Sequence, residues 1–346
     1  MATIHDVARL AGVSAATVSR VTNGRGNVAP GLAERVRRAM AELDYRPNAA
    51  ARKLRRSPGS LWAVVISDIG NAFFTSLVRG IEDVAQERGF SLVLCNSDED
   101  PRKEGQYVTA VLAERMAGVI MSPCAGSGQA ARLVAGGVPV VAIDRRLPGP
   151  EAVDTVLVDN EAGARRAVTH LFEAGYRRIA CVTGPRGVPT AEQRLAGYLG
   201  AMAGHGLTDP GPLVRHADFR EGGGYDAMAE LLRLRPAPDA VFTANNLMTV
   251  GALECLADHG VTVPDRMGVV GFDEIPWATL VRPSLTTVVQ PTRELGRTAA
   301  RLLADRLADP ARPATTTVLP TELRLRDSSV RTGPAPRGTG RETAPR

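Results

Sequence analysis

Short runs rich in Val and Ile alternate with amphipathic helical runs from residue 61 onward, and this alternation limits the folds open to the chain. Runs with strand character lie at 61–67, 90–96, 117–122, 139–144, 155–158, 178–183, 213–216, 240–243, 267–272, 286–290 and 316–325. Helical runs lie between them, at 74–87, 103–114, 129–135, 161–174, 191–205, 222–232, 247–259 and 292–308. Apolar strands separated by helices are typical of parallel sheets covered on both faces. Eleven strands exceed one ordinary sheet, so we predict two similar α/β lobes.

The order of these runs predicts where the chain passes between the lobes. We expect a first lobe, the N-lobe, at about 61–159 plus 291–318, and a second, the C-lobe, at about 160–290 plus 319–330. Residues 331–346 are rich in Gly, Pro and Arg and have no apolar periodicity. That composition predicts a disordered tail.

The first 46 residues predict a separate all-α domain. Thr3 followed by Asp6 is a variant of the capping box that begins a helix, and Gly12 suits the left-handed end of that helix. Ser14 can cap a second helix after a short turn, and Pro30 suits the first turn of a third. Two helices joined by a tight turn containing Gly are typical of a helix-turn-helix domain. A generic three-helix bundle with a solvated Arg20 is the alternative.

The second helix carries the candidate contacts to DNA. In a helix-turn-helix domain this helix enters the major groove with its N-terminal residues at the base edges. We expect five of its residues to face away from the apolar Val18, namely Ala15, Ala16, Thr17, Ser19 and Arg20. Arg20 suits guanine, since a guanidinium can donate to O6 and N7 together, while the alanines offer only apolar contact. Thr17, Ser19 and Asn23 suit phosphate contacts, which position the protein without reading sequence.

A short basic segment at 47–60 joins the head to the body. Asn48 can cap a helix there, but about nine residues are too few for a helix that is stable alone in water. Leu54 is its one large apolar side chain, among four cations. An apolar wedge can open a base step in the minor groove, so Ala51, Leu54 and Arg55 are further candidate DNA contacts. A helix packed on the body, or a flexible linker, is the alternative.

Charge and composition narrow the class of protein. Residues 1–58 carry a net charge of +7 and residues 331–346 one of +3, which leaves −5 on the rest. A positive field concentrated at the ends suits nucleic acid. The chain has neither a signal peptide nor an apolar run of about 18 residues, so we expect a cytoplasmic protein without a membrane segment. Four scattered cysteines predict reduced, mostly buried thiols. No catalytic motif or metal-ligand spacing is present, so we expect no enzyme activity, no metal and no cofactor.

Polar side chains follow many of the predicted strands. Parallel sheets bind ligands at the carboxyl ends of their strands, and two lobes can present those ends to one cleft. The candidate ligand-binding residues are Asp68, Phe73, Phe74, Asp144, Thr190, Arg194, Phe219, Asn245 and Asp273. Carboxylates accept from hydroxyls, arginine donates and rings stack on C–H faces, so this set predicts a polyol site. As alternatives, one of the two adjacent phenylalanines belongs to the core, Asp144 caps a turn and Asn245 caps a helix.

The head and the segment after it resemble those of the lactose/galactose repressor family of bacterial regulators, in the sequences TIHDVARLAGVSAATVSRVTNG and YRPNAAARKL. The order of head, third helix, hinge and body follows the family over about residues 2–330. The resemblance implies that the second helix reads the major groove and that the hinge helix folds on the operator as a dimer. It also implies that Leu54 intercalates at the operator centre. Ala29 departs from the family, since many members have a serine cap there.

Segments of the body carry the same resemblance. They read ISDIGNAFF, GPRGVPTAEQRLAGY, FTANNLMTVGAL and VVGFDEIPWA. The resemblance places Arg194, Asn245 and Asp273 at contacts with a small effector. Ala72 stands where proline is common in the family, Asn246 stands where the family usually has aspartate, and Val188 stands where purine-binding members have arginine. The aspartate change weakens an analogy to any particular sugar, and Val188 disfavours a purine of the known type.

These observations predict a cytoplasmic, homodimeric, ligand-responsive transcription repressor. It would bind a pseudo-palindromic operator in double-stranded DNA and take a small carbohydrate-like effector between its lobes. Three alternatives remain at this point: a two-lobed solute-binding protein, a regulator controlled by a nucleoside and a regulator controlled by a protein partner.

Overall fold

The computed structural model describes residues 2–23, 28–45, 60–147 and 153–331, the side chain of Asn23 excepted. The chain divides into two compact units, Met1–Ser60 and Leu61–Arg346. The hinge prediction for residues 47–59 and nearly all of the predicted tail lie outside the described residues. The part of the chain that is described contains no helix with both the length and the apolar character needed to cross a bilayer.

The described part of the first unit holds three helices, α1 (Ile4–Ala11), α2 (Ala15–Asn23) and α3 (Pro30–Glu42). The predicted capping box is present, since Thr3 and Asp6 exchange both hydrogen bonds, and Gly12 closes α1 at φ 63°. Ser14 Oγ accepts from the Thr17 N–H at 3.2 Å and so caps α2. The core of this unit is small and is formed by Val7, Ala8, Ala11, Val18, Val36 and Ala39. A guanidinium donor that the sequence did not predict, from Arg35, bonds the carbonyls of Ala11 and Gly12.

The second unit contains two six-stranded sheets, each flanked by helices. The N-lobe sheet has the order β11-β5-β4-β3-β1-β2 and is entirely parallel. Its strands are β1 (Leu61–Ile66), β2 (Ser91–Asn96), β3 (Gly118–Met121), β4 (Val140–Ile143), β5 (Asp154–Val158) and β11 (Thr316–Leu319). Its helices are α4 (Ala72–Glu87), α5 (Pro101–Ala113), α6 (Gln129–Ala135) and α11 (Thr292–Ala308). Buried apolar residues cover both faces of the sheet, as parallel sheets require.

The C-lobe sheet has the order β12-β10-β9-β8-β6-β7. Its strands are β6 (Ile179–Thr183), β7 (Val214–His216), β8 (Ala240–Thr243), β9 (Gly268–Phe272), β10 (Thr286–Val289) and β12 (Glu322–Arg324). Its helices are α7 (Asn160–Glu173), α8 (Pro189–Gly204), α9 (Glu221–Leu232) and α10 (Asn246–Asp258). All strand pairs are parallel except β10–β12. The predicted fold class, a helix-turn-helix head followed by a two-lobed α/β body, is confirmed.

The chain passes between the lobes three times, after β5, after β10 and between β11 and β12. The run predicted as extended at 316–325 therefore forms two strands in different sheets. Asp159 fixes the third crossing, because its carboxylate accepts the Thr321 N–H at 2.7 Å. Arg166 donates to the carbonyl of Thr321 at 2.9 Å. Beyond β12, Arg331 belongs to the folded body and not to the predicted tail, since it pairs with Asp239 at 3.0 Å and covers the Tyr176 ring.

The cysteines lie in the interior of the second unit. Cys95, Cys124, Cys181 and Cys255 are all buried free thiols, as the sequence predicted. Burial raises the pKa of Cys95 to about 11 and that of Cys124 to about 12. Such thiols are protonated at neutral pH and behave as small apolar side chains.

Candidate functional site

A cleft of about 370 Å³ lies in the second unit, where loops at the strand ends of the two lobes meet. All nine residues that the sequence singled out as ligand-binding line it: Asp68, Phe73, Phe74, Asp144, Thr190, Arg194, Phe219, Asn245 and Asp273. The topology explains why they meet, since the carboxyl ends of parallel strands share one edge of each sheet. Among the described residues, no group of three His, Cys, Asp or Glu side chains is placed to hold a metal ion.

Backbone strain is concentrated at this cleft. Seven described residues other than glycine have positive φ angles. Five of them line the cleft: Asp98 (52°), Glu99 (58°), Asp144 (69°), Phe219 (64°) and Asp273 (75°). A non-glycine residue in this region is held there by its surroundings and tends to occur at binding sites. The clustering therefore supports the cleft as a candidate binding site independently of the chemistry of its side chains.

Arg194 and Asp273 form the charged centre of the C-lobe wall. The Arg194 side chain, 4% exposed, lies 3.5 Å from the Asp273 carboxylate and stacks over the Phe272 ring at 3.9 Å. It also donates to Asn160 Oδ1 at 2.8 Å and to the Ala244 carbonyl at 2.7 Å. Burial lowers the pKa of Arg194, against the opposing charge of Asp273. Burial likewise raises the pKa of Asp273, against the charge of Arg194.

A second charged centre lies on the N-lobe wall. Arg145 donates to both Glu99 carboxylate oxygens, at 2.7 and 2.8 Å, and its Nε lies 3.3 Å from Asp144. Asp144 also accepts from the Ser122 hydroxyl at 3.2 Å. Burial raises the pKa of the Asp144 carboxyl, while the charge of Arg145 opposes that rise. The bidentate pair with Glu99 keeps Arg145 neutralised whatever the protonation state of Asp144.

The Asp144→Asn substitution should become more favourable to stability as the pH rises. A carboxyl whose pKa is raised by folding stabilises the fold at pH values below its ordinary pKa of 3.8. This stabilisation is lost as the pH rises through the raised pKa. Asparagine does not titrate, so D144N does not lose stability in this way as the pH rises. Urea unfolding between about pH 4 and about pH 7 should therefore show the free energy of unfolding of D144N increasing relative to that of the original chain.

Asp98→Asn is the control for this measurement, because folding shifts the pKa of Asp98 in the opposite direction from that of Asp144. A hydrogen bond from Lys103 lowers the pKa of Asp98, so the carboxylate stabilises the fold above its ordinary pKa. D98N should therefore lose stability relative to the original chain as the pH rises from the lowered pKa of Asp98 to about 3.8, and should change little between about pH 4 and about pH 7. Equal trends for the two variants would contradict the role given to burial at Asp144.

The packing bears on the alternatives that the sequence left open for the cleft residues. Asn245 is the N-cap of α10, since its Oδ1 accepts the Met248 N–H at 2.8 Å. It also lines the cleft, so capping the helix is compatible with the predicted contact to a ligand. Phe73 and Phe74 are both buried in the N-lobe core, edge to face at 4.9 Å, and both also line the cleft. Asp144 accepts from the Ser122 side chain.

Several lining residues were missing from the sequence-based set. They are Ser67, Asn71, Asp98, Glu99, Ala125, Arg145, Pro185, Val188, Asp218, Arg220 and Gln290. Asp98 and Glu99 follow β2, Asp218 follows β7 and Gln290 follows β10. The rule that polar residues after strand ends face the cleft, applied to every strand, would have found these four.

Among the described residues, two side-chain contacts span the cleft and join the lobes. The side chains of Asn71, at the start of α4, and Asn246, at the start of α10, exchange two hydrogen bonds of 2.8 and 3.1 Å. Arg220 lies 3.2 Å from the Asp68 carboxylate. The sequence drew attention to Asn246 only as a departure from the family pattern and gave it no partner.

In the first unit, the candidate DNA contacts on α2 differ in exposure. Ala16 and Arg20 are exposed, while Thr17 and Ser19 are half-buried. The expectation that Ala15 faces away from Val18 is wrong. Ala15 packs against the cluster that contains Val18, because residues three apart share a helix face. The side chain of Asn23, and the predicted contacts Ala51, Leu54 and Arg55, lie outside the described residues.

Comparison with known proteins gives matches to both units. A family described as "Bacterial regulatory proteins, lacI family" matches residues 3–48, and a "Periplasmic binding protein-like domain" matches residues 168–329. The ribose operon repressor of Escherichia coli (strain K12) is 37% identical over 312 residues, 90% of this chain and 94% of that protein.

Two solved structures resemble the whole chain. The "transcriptional regulator CelR-cellobiose complex" matches with a TM-score of 0.72 and 36% identity, over 95% of this chain and 100% of that one. The lac repressor dimer bound to operator and the anti-inducer ONPF matches with a TM-score of 0.75 and 29% identity, over 95% of this chain and 99% of that one. These matches span the head as well as the two-lobed body.

Proposed function

The chain belongs to the lacI family of bacterial regulatory proteins, and from this premise we propose that it is a repressor whose operator affinity is set by a small uncharged polyol in the interlobe cleft. The observation that carries the proposal is the convergence of nine polar and aromatic side chains from both lobes on one cleft, in a chain that begins with a helix-turn-helix domain. The relatives are regulators and match the head too, which disfavours an enzyme or a solute-binding protein.

The DNA-binding half of the proposal rests on α2. Its exposed face carries Ala16 and Arg20, and the head has a strongly positive net charge. Two heads of a homodimer would occupy the half-sites of a pseudo-palindromic operator, since the two-fold symmetry of the protein maps onto that of the DNA. The lac repressor structure is itself a dimer on its operator.

The charge of the cleft supports an uncharged ligand. Three arginines and six carboxylates line it among the described residues. Each of these arginines already faces a carboxylate: Arg194 faces Asp273, Arg145 faces Glu99 and Arg220 faces Asp68. An anionic ligand would therefore meet excess negative charge, whereas hydroxyl groups can both donate to carboxylates and accept from guanidinium groups. The ribose repressor and the cellobiose complex among the similar proteins agree with a sugar.

A fluorescence-anisotropy titration on DNA from the upstream region of the gene tests the proposal. Binding should weaken with salt, as phosphate contacts require, and one uncharged sugar from a panel including ribose and cellobiose should change the affinity. Ribose 5-phosphate and adenosine serve as anionic and nucleoside competitors. Sequence-specific binding that responds only to a phosphorylated or nucleoside ligand would overturn the polyol assignment, and absence of specific binding would overturn the repressor assignment.

Arg20→Ala should weaken operator binding by about 1–3 kcal/mol and relax the preference at one base pair of each half-site, because a bidentate arginine–guanine contact is lost. Arg37→Ala is a matched control, since Arg37 is an exposed arginine on α3 and not on the recognition helix. The two variants are compared by anisotropy on operators that carry single base changes. A loss in R20A that is uniform over all sequences would show a phosphate contact instead.

A further inference from the structure

One link between the two lobes across the cleft is a pair of uncharged amides. Asn71 caps α4 on the N-lobe and Asn246 is the first residue of α10 on the C-lobe. Asn246 Nδ2 donates to Asn71 Oδ1 at 2.8 Å, and Asn71 Nδ2 donates to Asn246 Oδ1 at 3.1 Å. The two side chains are buried, at 8% and 3% exposure. The pair therefore joins two helix starts, one from each lobe, in the interior of the protein.

The orientation of both amides is fixed by the helices that they begin. Asn71 Oδ1 accepts the Phe73 N–H at 3.0 Å, and Asn246 Oδ1 accepts the Leu247 N–H at 2.9 Å. If either amide rotated by a half-turn, its NH₂ group would face a backbone N–H. Each oxygen thus uses both lone pairs, one within its own lobe and one across the cleft. The two amides can therefore pair in only one orientation. The pair forms only when the first residues of α4 and α10 lie opposite each other across the cleft.

We propose that Asn71 and Asn246 form an interlobe latch, a positioning pair that holds the starts of α4 and α10 together in the closed cleft. The other described contact across the cleft, Arg220 with Asp68, cannot replace it. The Arg220 side chain is half exposed, so salt screens its attraction to Asp68 and long-side-chain entropy opposes it. The amide pair carries no net charge and is shielded from water, so salt leaves it intact.

The latch also limits what Asn71 offers to a ligand. Asn71 lines the cleft, and both lone pairs of its oxygen are already used. One N–H of its amide remains after the bond to Asn246. Asn71 can therefore donate one hydrogen bond to a ligand and accept none, and a ligand oxygen must face it.

Aspartate substitutions separate the effect of losing the latch from the effect of losing a helix cap. With aspartate at only one of the two positions, the carboxylate would still accept one hydrogen bond across the cleft from the remaining asparagine. Aspartate also remains a good acceptor for the backbone N–H at a helix start. Aspartate at both positions would place two carboxylates face to face and leave no donor between them. Each single variant keeps one of the two hydrogen bonds and replaces the other by a contact between two oxygens. We therefore expect N71D and N246D to hold the cleft less tightly than the original chain, and the double variant N71D/N246D to open it further than either.

Small-angle X-ray scattering of the full chain, with neither DNA nor sugar, measures this opening. The double variant should have a larger radius of gyration than the original chain and than both single variants, at low and at high salt. Asn71→Ser provides a second test without added charge, because serine can cap α4 but is too short to reach Asn246. N71S should open in the same way while its helix content stays unchanged by circular dichroism.

Asn96→Asp is the matched control, since the side chain of Asn96 hydrogen-bonds to Ile69 and Asp98 of its own lobe. It should scatter as the original chain does. Scattering of N71D/N246D and N71S indistinguishable from that of the original chain would overturn the latch. Because the measurement needs no operator and no effector, its outcome is independent of the proposed function.

Discussion

Replacing Arg194 by leucine should lower the free energy of unfolding of the protein by about 3–5 kcal/mol at neutral pH, because it leaves Asp273 buried without a counter-charge. The guanidinium also bonds Asn160 and the Ala244 carbonyl, so its loss leaves two further buried acceptors unsatisfied. Hydrophobic packing of leucine on the Phe272 ring would recover only part of this loss. Urea unfolding, followed by circular dichroism, measures the change.

The pH dependence of this loss identifies Asp273 as its source. Burial already raises the pKa of Asp273, and Arg194 is the largest influence that lowers it. Without Arg194 the pKa of Asp273 should rise further, so the Asp273 carboxyl is protonated over a wider pH range. The protonated carboxyl needs no counter-charge, and its contribution to stability is lost only as the pH rises through the raised pKa. The destabilisation of R194L should therefore be smaller in mild acid than at neutral pH. An equal loss at both pH values would contradict this explanation.

Two comparison variants complete the experiment. Leucine at both 194 and 273 removes the whole ion pair, and the double variant should regain much of the stability that R194L loses, since an apolar pair costs no charge burial. Arg165→Leu changes an arginine on α7 whose side chain is 55% exposed, and it should have little effect. In the anisotropy assay, R194L should retain operator binding and lose its response to sugar, because Arg194 lines the cleft and not the head.

Residues at strand ends were predictable because their position follows from topology alone. Asp144 and Asp273 directly follow β4 and β9, and Thr190 and Arg194 lie in the first turns of α8, the helix after β6. Once parallel sheets were inferred, all four could be assigned to one cleft, since every parallel strand delivers its carboxyl end to the same edge. Their partners could not be assigned in this way. Arg145 pairs with Glu99, which lies 46 positions earlier in the chain on a loop with positive φ angles. Such pairs depend on loop conformation, which apolar periodicity does not encode.

The contacts between the lobes were even harder to predict from the sequence. Asn71 and Asn246 are 175 positions apart, and each has a sufficient local role at a helix start. Nothing in either segment indicates that the two helix starts face each other. The error at Ala15 has a local cause instead. Small residues on α2 fit both the packed and the exposed face, so composition could not decide which face Ala15 takes.

Replacing Gly80 by alanine should destabilise the protein by about 1–3 kcal/mol or more, because α4 and α11 cross with their backbones in contact. A Cβ atom on Gly80 would lie 2.1 Å from the Arg293 carbonyl oxygen, and one on Gly296 would lie 2.1 Å from the Leu77 carbonyl oxygen. Neither obstacle is a flexible side chain, so the helices must move apart. The movement would also displace the start of α4, where Asn71 makes its contact with Asn246.

Gly200→Ala gives the matched control, since Gly200 is an exposed glycine in α8 with no atom within 4 Å of an added Cβ. At that position the substitution changes only the helix propensity, which is lower for glycine than for alanine. G200A should therefore stabilise the protein by about 0.5–1 kcal/mol. The same chemical change should therefore have opposite signs at the two positions in urea unfolding. Stabilisation by G80A would mean that α4 and α11 can separate freely, and the close crossing would then have no part in holding the N-lobe together.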